Sequence, residues 1–125
     1  TFWLRQNHES GGCGLPFYIG TAVDATADTY HVPICLALGL IEVESGFDPE
    51  AVSPAGCYGL CQLNPQYFPS GLTPAENIEA GMEYLGSLID QYGDLGAALC
   101  AYHDGHDTGR RGYSNAVLEA AERWR

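Results

Sequence analysis

The sequence predicts a mainly α-helical fold. Apolar residues recur at the three- and four-residue spacing of helices along most of the chain, and residues typical of helix starts and stops flank these stretches. Pro and Gly recur among short apolar pieces between residues 46 and 64, where we expect a loop or a small β-hairpin. The 125 residues, 46% of them hydrophobic, suffice for one compact domain with a modest core.

The first half of the chain predicts two helices after a polar start. Residues 1–16 are polar and Gly-rich, which indicates a flexible lead-in, so the folded domain is expected to span residues 17–125. Ile19, Val23 and Ala27 have the spacing of an amphipathic helix over about residues 17–30. Pro33 suits the first turn of a second helix, which ends near Ser45 and is apolar nearly all round. That helix is predicted to form the centre of the core.

The second half predicts three further helices with recognisable starts. Thr73 and Glu76 match a capping box with a proline at the first helical position, which predicts a helix to about residue 92. Gly93 ends that helix, and Asp94 caps a short apolar helix to about residue 103. Ser114 is predicted to cap the last helix.

The charge balance narrows the classes of partner. The formal net charge is -11, with five arginines and no lysine, which disfavours nucleic acid and anionic membranes as partners. The longest apolar stretch, residues 34–41, is far shorter than the roughly 20 residues of a membrane-spanning helix. Because the chain begins with Thr1, we interpret it as a mature or excised piece whose signal or neighbouring domains are not included.

The five cysteines are too few for a disulfide scaffold and allow at most two bridges. Cys35 and Cys100 fall in predicted core helices and are interpreted as small buried apolar residues. Cys57 and Cys61 flank a predicted turn, where a local disulfide between them is possible. The redox compartment stays open at this point.

Glu44 is the candidate catalytic residue. It follows the apolar run of residues 34–43, where a buried helix meets a stop marked by Gly46 and Pro49. Partial desolvation and the negative end of the helix dipole both disfavour the ionised carboxylate, so the pKa is expected to rise toward the range of a general acid. Glu42 projects about 200 degrees round the helix from Glu44, so we expect it to pair with backbone or an arginine.

Four segments, in their order and spacing, resemble the soluble-type lytic transglycosylases, a family with a lysozyme-like fold. The resemblance extends over roughly residues 17–105, which is most of the chain. The segments are Glu44-Ser45-Gly46-Phe47-Asp48-Pro49, then Ala51-Val52-Ser53-Pro54-Ala55-Gly56 leading into Gly59-Leu60-Cys61-Gln62-Leu63, then Asn77-Ile78-Glu79-Ala80-Gly81-Met82-Glu83-Tyr84-Leu85, and Ala101-Tyr102-His103-Asp104-Gly105.

The resemblance implies cleavage, without water, of the β-1,4 bond between N-acetylmuramic acid and N-acetylglucosamine in peptidoglycan. The family's single catalytic glutamate falls on Glu44. It would protonate the glycosidic oxygen and then take a proton from the muramic acid C6 hydroxyl, leaving a 1,6-anhydro end. The family is thought to use the substrate's own N-acetyl group where other glycosidases use a second carboxylate.

The resemblance also implies substrate-binding residues, each of which has a simpler structural interpretation. Ser45 would lie beside the N-acetyl group, or it would bond its own helix backbone. Gln62 would offer an amide to the sugars, or it would brace a turn. Tyr102 matches the family tyrosine whose hydroxyl holds the catalytic glutamate, and its alternative is a core aromatic residue with a solvated tip.

The chain departs from the family pattern at two further cleft positions. The family usually has Met where Cys61 stands, so sugar packing is expected to be altered there. It usually has Asn where His103 stands, and histidine can also donate or accept, with a charge that depends on pH. His103 and His106, with the adjacent aspartates, raise the idea of a metal site, but no other paired ligand spacing exists, so neither a metal nor a cofactor is expected.

Two other functions stay open. Asp48 or Asp104 would serve as a second carboxylate if the domain were a hydrolytic muramidase. A non-catalytic peptidoglycan-binding module would follow if the changes at Cys61 and His103 mark lost activity. Peptidoglycan strands are the expected partner in each case, in an extracellular, periplasmic or cell-wall setting and within a larger cell-wall, secretion or phage protein.

Overall fold

The fold is mainly α-helical, as predicted. A computed structural model describes residues 17–125, and the proposed lead-in over residues 1–16 lies outside this part of the chain. The helices in the described part are α1 (Phe17–Thr29), α2 (Ile34–Ser45), α3 (Pro74–Tyr92), α4 (Leu95–Asp104) and α5 (Gly112–Arg123). None of these helices is long and apolar enough to cross a membrane.

Helix α2 is the centre of the core, as its apolar sequence predicts. Residues 36–41 are all buried, so no face of its middle turn reaches solvent. Helices α1 and α5 pack against it. At Gly39 an added Cβ atom would lie 2.8 Å from the Val117 carbonyl oxygen and 2.8 Å from the Ala121 nitrogen. The α2 and α5 backbones therefore cross in direct contact at this glycine.

The segment between α2 and α3 is a folded loop with two isolated antiparallel bridges, Val52 to Tyr58 and Tyr58 to Leu63. Tyr58 and Leu63 exchange both backbone hydrogen bonds, at 3.1 and 2.9 Å. The predicted hairpin does not extend further because Gly59 and Gln62 adopt positive φ angles of 82° and 52°, which turn the chain before a ladder can form.

Two of the three predicted helix caps are confirmed. The Glu76 amide donates to Thr73 Oγ1 at 3.2 Å and the Thr73 amide donates to Glu76 Oε1 at 2.9 Å. Asp94 Oδ2 accepts from the Ala97 amide at 2.8 Å. The prediction for Ser114 is wrong, because α5 begins at Gly112 and the fully buried Ser114 hydroxyl donates to the Gly96 carbonyl at 2.6 Å. Ser114 thus joins α5 to α4 and does not start α5.

The cysteines of the described residues are free thiols: Cys35, Cys57, Cys61 and Cys100. The local disulfide considered between Cys57 and Cys61 is therefore not formed. Cys100 is buried as expected, whereas Cys35 is only partly buried. Cys13 lies outside the described residues.

We expect Gly39→Ala to destabilise the fold. A methyl group there would sit 2.8 Å from two backbone atoms of α5, which cannot move aside as a side-chain tip can. Overpacking of this kind costs about 2–3 kcal/mol of unfolding free energy. Urea denaturation measures it. Gly112→Ala is the control, because its Cβ meets nothing within 4 Å, and equal stability of the two variants would contradict the close crossing.

Candidate active site

Glu44 lies in the last turn of α2, where the helix stops. Gly46 adopts a left-handed conformation with φ 61°, and its amide donates to the Glu42 carbonyl at 2.9 Å, which closes the helix end. The Glu44 carboxyl is mostly buried, and its Oε2 atom accepts a hydrogen bond of 2.9 Å from the Tyr113 hydroxyl of α5. One of the two carboxyl oxygens of Glu44 is thus held by a tyrosine of α5.

Burial raises the pKa of Glu44 from 4.5 to about 7. Desolvation is the largest cause, while the hydrogen bond from Tyr113 and the nearby charge of His103 act in the opposite direction. The predicted rise is confirmed in direction. A carboxyl group with this pKa can both give and take a proton near neutral pH, as acid and base catalysis require.

The hydroxyl that holds Glu44 belongs to Tyr113 and not to Tyr102, which corrects the expectation from sequence. The Tyr102 hydroxyl donates to the Cys61 carbonyl at 2.7 Å and so supports the loop instead. Tyr113 was missed because only the nearby Ser114 had been considered, as a cap. The available signal was helical spacing, since Tyr113 lies one turn before the buried Val117 on the face of α5 that meets α2.

Cys61 and Ser45 both contribute to the packing or bonding of the loop beside Glu44. Cys61 is fully buried, and burial raises the pKa of its thiol, so the side chain cannot line a glycan as a cleft-wall Met would. Its amide donates to Asn77 Oδ1 at 2.8 Å. The Ser45 hydroxyl lies 3.1 Å from the Ile41 carbonyl and 2.9 Å from the Leu60 carbonyl. Ser45 therefore ties the end of α2 to the loop.

The amide nitrogen of Gln62 braces the turn in which it lies. Nε2 donates to the carbonyls of Ala51 and Gly59, each at 3.0 Å. This is the turn-bracing role considered from sequence. The other end of the amide, the Oε1 oxygen, is the end that a sugar donor would use.

His103 lies beside Tyr113 on the exposed side of the site. Its ring stacks on the Tyr113 ring with centroids 4.4 Å apart, and 52% of its side chain is accessible to solvent. Nδ1 lies 2.7 Å from Asp104 Oδ1. The structure therefore brings His103, Tyr113 and Glu44 together.

A comparison with protein families matches residues 21–123 to the family described as "Transglycosylase SLT domain". The chain belongs to this family. It is 36% identical over 88 residues to a transglycosylase of Enterobacteria phage PRD1, a match that covers 66% of this chain and 33% of the relative.

Other relatives are named membrane-bound lytic murein transglycosylase C. The protein of Glaesserella parasuis is 32% identical over 118 residues, covering 75% of this chain and 32% of its own length. That of Haemophilus ducreyi is 36% identical over 84 residues, or 54% and 23% of the two chains. The SLT domain thus spans about a third or less of each of these relatives. No solved structure matches it significantly.

Other carboxylates considered in this SLT domain are engaged elsewhere. Glu42 accepts from Arg123 at 2.6 Å and from the Trp124 ring nitrogen at 2.8 Å, which confirms that it pairs away from Glu44. Asp48 Oδ1 accepts from the Glu50 amide at 2.9 Å and so closes a turn.

Three of the residues considered for a metal site, His103, Asp104 and Asp107, lie in hydrogen-bonded pairs with charged neighbours. Asp107 receives two hydrogen bonds from Arg111, at 2.8 and 3.2 Å. Asp104 is bound by His103, and Arg110 donates to its Oδ2 atom at 3.3 Å. Within residues 17–125 there is no cluster of three or more potential metal-binding side chains.

An open groove of about 440 Å³ runs along α3 of the SLT domain. Phe68 and Tyr84 form part of its wall, with ring centroids 5.6 Å apart, and Tyr84 also packs on Tyr102 at 5.3 Å. Aromatic faces of this kind can stack on sugar rings. The remaining lining residues are Pro69, Leu72, Glu76, Glu79, Ala80, Glu83 and Ser87.

We expect Tyr113→Phe to raise the pKa of Glu44 above about 7, because the ionised carboxylate loses its hydrogen bond. A carboxyl ¹³C NMR titration measures the midpoint. Tyr102→Phe is the matched control, since that hydroxyl donates to the Cys61 carbonyl. A larger shift in Tyr102→Phe than in Tyr113→Phe would show that the contact is assigned to the wrong tyrosine.

Glu44→Gln should stabilise the domain at alkaline pH. Because the folded state keeps the Glu44 proton up to about pH 7, it binds more protons than the unfolded state above about 4.5, and stability falls as pH rises through this window. The glutamine of the variant carries no charge at any pH, so its stability does not fall in this way. Its unfolding free energy should exceed that of the wild type by on the order of 2 kcal/mol at about pH 8, and by little at about pH 4.5.

Urea denaturation at both pH values checks this expectation. Glu42→Gln is the control on the same helix, and it should lose stability because the ion pair with Arg123 is broken. A Glu44→Gln variant that is less stable than the wild type at alkaline pH would contradict the burial cost assigned to Glu44.

Proposed function

We propose that this SLT domain is a peptidoglycan lytic transglycosylase in which Glu44 is the single catalytic acid and base. The observation that carries the proposal is a mostly buried carboxyl group with a pKa of about 7, held by Tyr113 at a helix end. Membership of the SLT family supports it, as does the name lytic murein transglycosylase that relatives carry.

In the first step, protonated Glu44 donates to the oxygen of the bond between N-acetylmuramic acid and N-acetylglucosamine. The raised pKa supports this role, because it keeps protonated carboxyl groups present near neutral pH. The C1–O bond breaks, the proton neutralises the departing sugar oxygen, and the oxygen of the muramic acid N-acetyl group stabilises the positive charge left at C1 until the second step.

In the second step, ionised Glu44 accepts the proton of the muramic acid C6 hydroxyl as that oxygen bonds to C1. The product is a 1,6-anhydro end, the carboxyl group regains its proton, and no water is consumed. Tyr113 supports this two-step scheme, because its hydrogen bond to Oε2 fixes the carboxyl and leaves Oε1 for the substrate.

A single-carboxylate mechanism is supported by the partners of the alternatives. Glu42 is bound to Arg123 and Trp124, and Asp48 closes a turn. Asp104 is bound by Thr108, His103 and Arg110. These three contacts keep the pKa of Asp104 well below its usual range. A retaining or inverting hydrolase would need such a carboxylate free to face the sugar.

The glycan is proposed to lie across the end of α2 and along the groove of α3. Phe68 and Tyr84 supply aromatic surface, and the Gln62 Oε1 oxygen and the His103 imidazole are the polar contacts we propose for the sugars. Ser45, Cys61 and Tyr102 support this surface from below through the bonds described above. Their substrate-binding role is thus proposed to be indirect.

The proposed partner places the domain at the cell wall. Murein lies outside the cytoplasmic membrane, so we propose an extracellular, periplasmic or wall-associated location. The partial coverage of the phage and bacterial relatives is in keeping with a domain of a larger cell-wall or phage protein.

We expect Glu44→Gln to lower the rate of peptidoglycan cleavage about 100-fold or more, because an amide can neither donate nor accept the proton. Turbidity loss of a purified wall suspension measures the rate. Glu42→Gln is the matched control, with the same change two residues away, and should keep most of the activity. Undiminished lysis by folded Glu44→Gln would remove the catalytic assignment.

Mass spectrometry of the released fragments tests the reaction type. Fragments with 1,6-anhydro ends are expected, 18 mass units lighter than the hydrolysed product because water is not added. Reducing ends would instead identify a muramidase, and binding of walls without any fragments would identify a non-catalytic module.

A further inference from the structure

A continuous series of side chains connects Asp104 with the candidate catalytic carboxyl. Asp104 Oδ1 lies 2.7 Å from His103 Nδ1, the His103 ring stacks on Tyr113, and the Tyr113 hydroxyl donates to Glu44 Oε2. The series joins α4, α5 and α2 across the site. In this series only Tyr113 lies between His103 and Glu44, and of these two neighbours His103 is the more exposed.

Asp104 is fixed in place and anionic. Its Oδ2 atom accepts from the Thr108 hydroxyl at 2.6 Å, from Arg110 at 3.3 Å and from the Cys100 thiol at 3.6 Å. These partners hold its pKa well below the ordinary value of an aspartate. A fixed carboxylate at Nδ1 orients the imidazole.

The pKa of Glu44 depends on the charge of His103. A positive imidazole opposes the burial that raises the pKa of Glu44. A small cavity of about 210 Å³ is lined by His103 and Tyr113 together with Arg110 and Cys100. The titratable and charged groups around His103 and Glu44 in the described residues are Cys61, Cys100, Tyr102, Asp104, Arg110 and Tyr113.

We propose that His103, oriented by Asp104 and stacked on Tyr113, is a positioning residue whose protonation biases the protonation of Glu44. The proposal deepens the proposed function, on which it rests for the catalytic meaning of Glu44. Asparagine, which the related sequences are expected to carry at this position, has no charge to change. The histidine therefore gives this chain a pH-dependent control of its acid and base.

The direction of the control follows from the sign of the charge. When His103 is protonated, the ionised form of Glu44 is favoured, and the carboxyl group is ready to act as a base. When His103 is neutral, Glu44 keeps its proton to higher pH. Coupling of this kind acts in both directions, so the charge on Glu44 bears equally on the His103 ring.

The test is an NMR titration of the Glu44 carboxyl carbon and the His103 ring, which needs no substrate. In the wild type, the Glu44 signal is expected to follow the His103 protonation with a two-step curve. In His103→Asn and His103→Gln, a single step is expected, with the midpoint higher by about half a pH unit or more. Two uncharged variants are used so that the test still holds if one of them does not fold.

His31→Asn is the matched control. It removes an imidazole from the exposed α1–α2 turn, where φ is 60° and asparagine is well tolerated. Its Glu44 titration should equal that of the wild type. A single-step wild-type curve, or a midpoint in both His103 variants within about 0.2 pH units of the wild type, would overturn the coupling, since this lies below the shift expected of a neighbouring charge.

The pH profile of wall cleavage gives the second readout. With His103→Asn, the fall in rate at high pH should move upward by the same shift as the Glu44 midpoint, whereas a merely structural role would lower the rate at all pH values. Coupled titration without any wall cleavage would disprove the proposed function and leave the coupling standing. Cleavage that depends on Glu44, together with a Glu44 titration that does not change in the His103 variants, would support the proposed function and disprove the coupling.

Discussion

The crossing of α2 and α5 at Gly39 determines where the candidate site can form. With no side chain at Gly39, the α5 backbone lies directly against α2, and no larger residue fits that gap. Because α5 lies across α2, Glu44 reaches Tyr113 at the start of α5, while Glu42 reaches Arg123 and Trp124 at its end. One helix contact thus gives two glutamates two residues apart different partners, a tyrosine hydroxyl for Glu44 and an ion pair with Arg123 for Glu42.

The burial that raises the pKa of Glu44 also costs stability. A carboxylate removed from water is stabilised only by what surrounds it, here the Tyr113 hydroxyl and the His103 charge, and these do not fully offset desolvation. Full compensation would return the pKa to its ordinary value and leave the group ionised at neutral pH. The raised pKa is therefore the consequence of an incomplete set of partners, which is common at functional sites.

Three of the polar side chains that the resemblance assigns to the substrate brace the loop beside the site. Gln62 and Ser45 bond to backbone carbonyls, and Tyr102 bonds to the carbonyl of Cys61. Asn77, which is 1% exposed, accepts from the Cys61 amide and donates to the Tyr58 carbonyl at 3.1 Å. Backbone hydrogen bonds of the loop's own turns supply the rest, so polar side chains and turns together satisfy its backbone groups.

The sequence by itself determined the helices, two of the caps and the place of Glu44, because spacing, capping residues and helix stops act within a few neighbouring residues. It also indicated the rise in the pKa, since an apolar helix implies burial. Only the tertiary structure decided that Tyr113 and not Tyr102 holds Glu44, and that Ser114 bonds to α4. These contacts join residues 69 and 18 positions apart, and their partners depend on how helices cross, which no local pattern encodes.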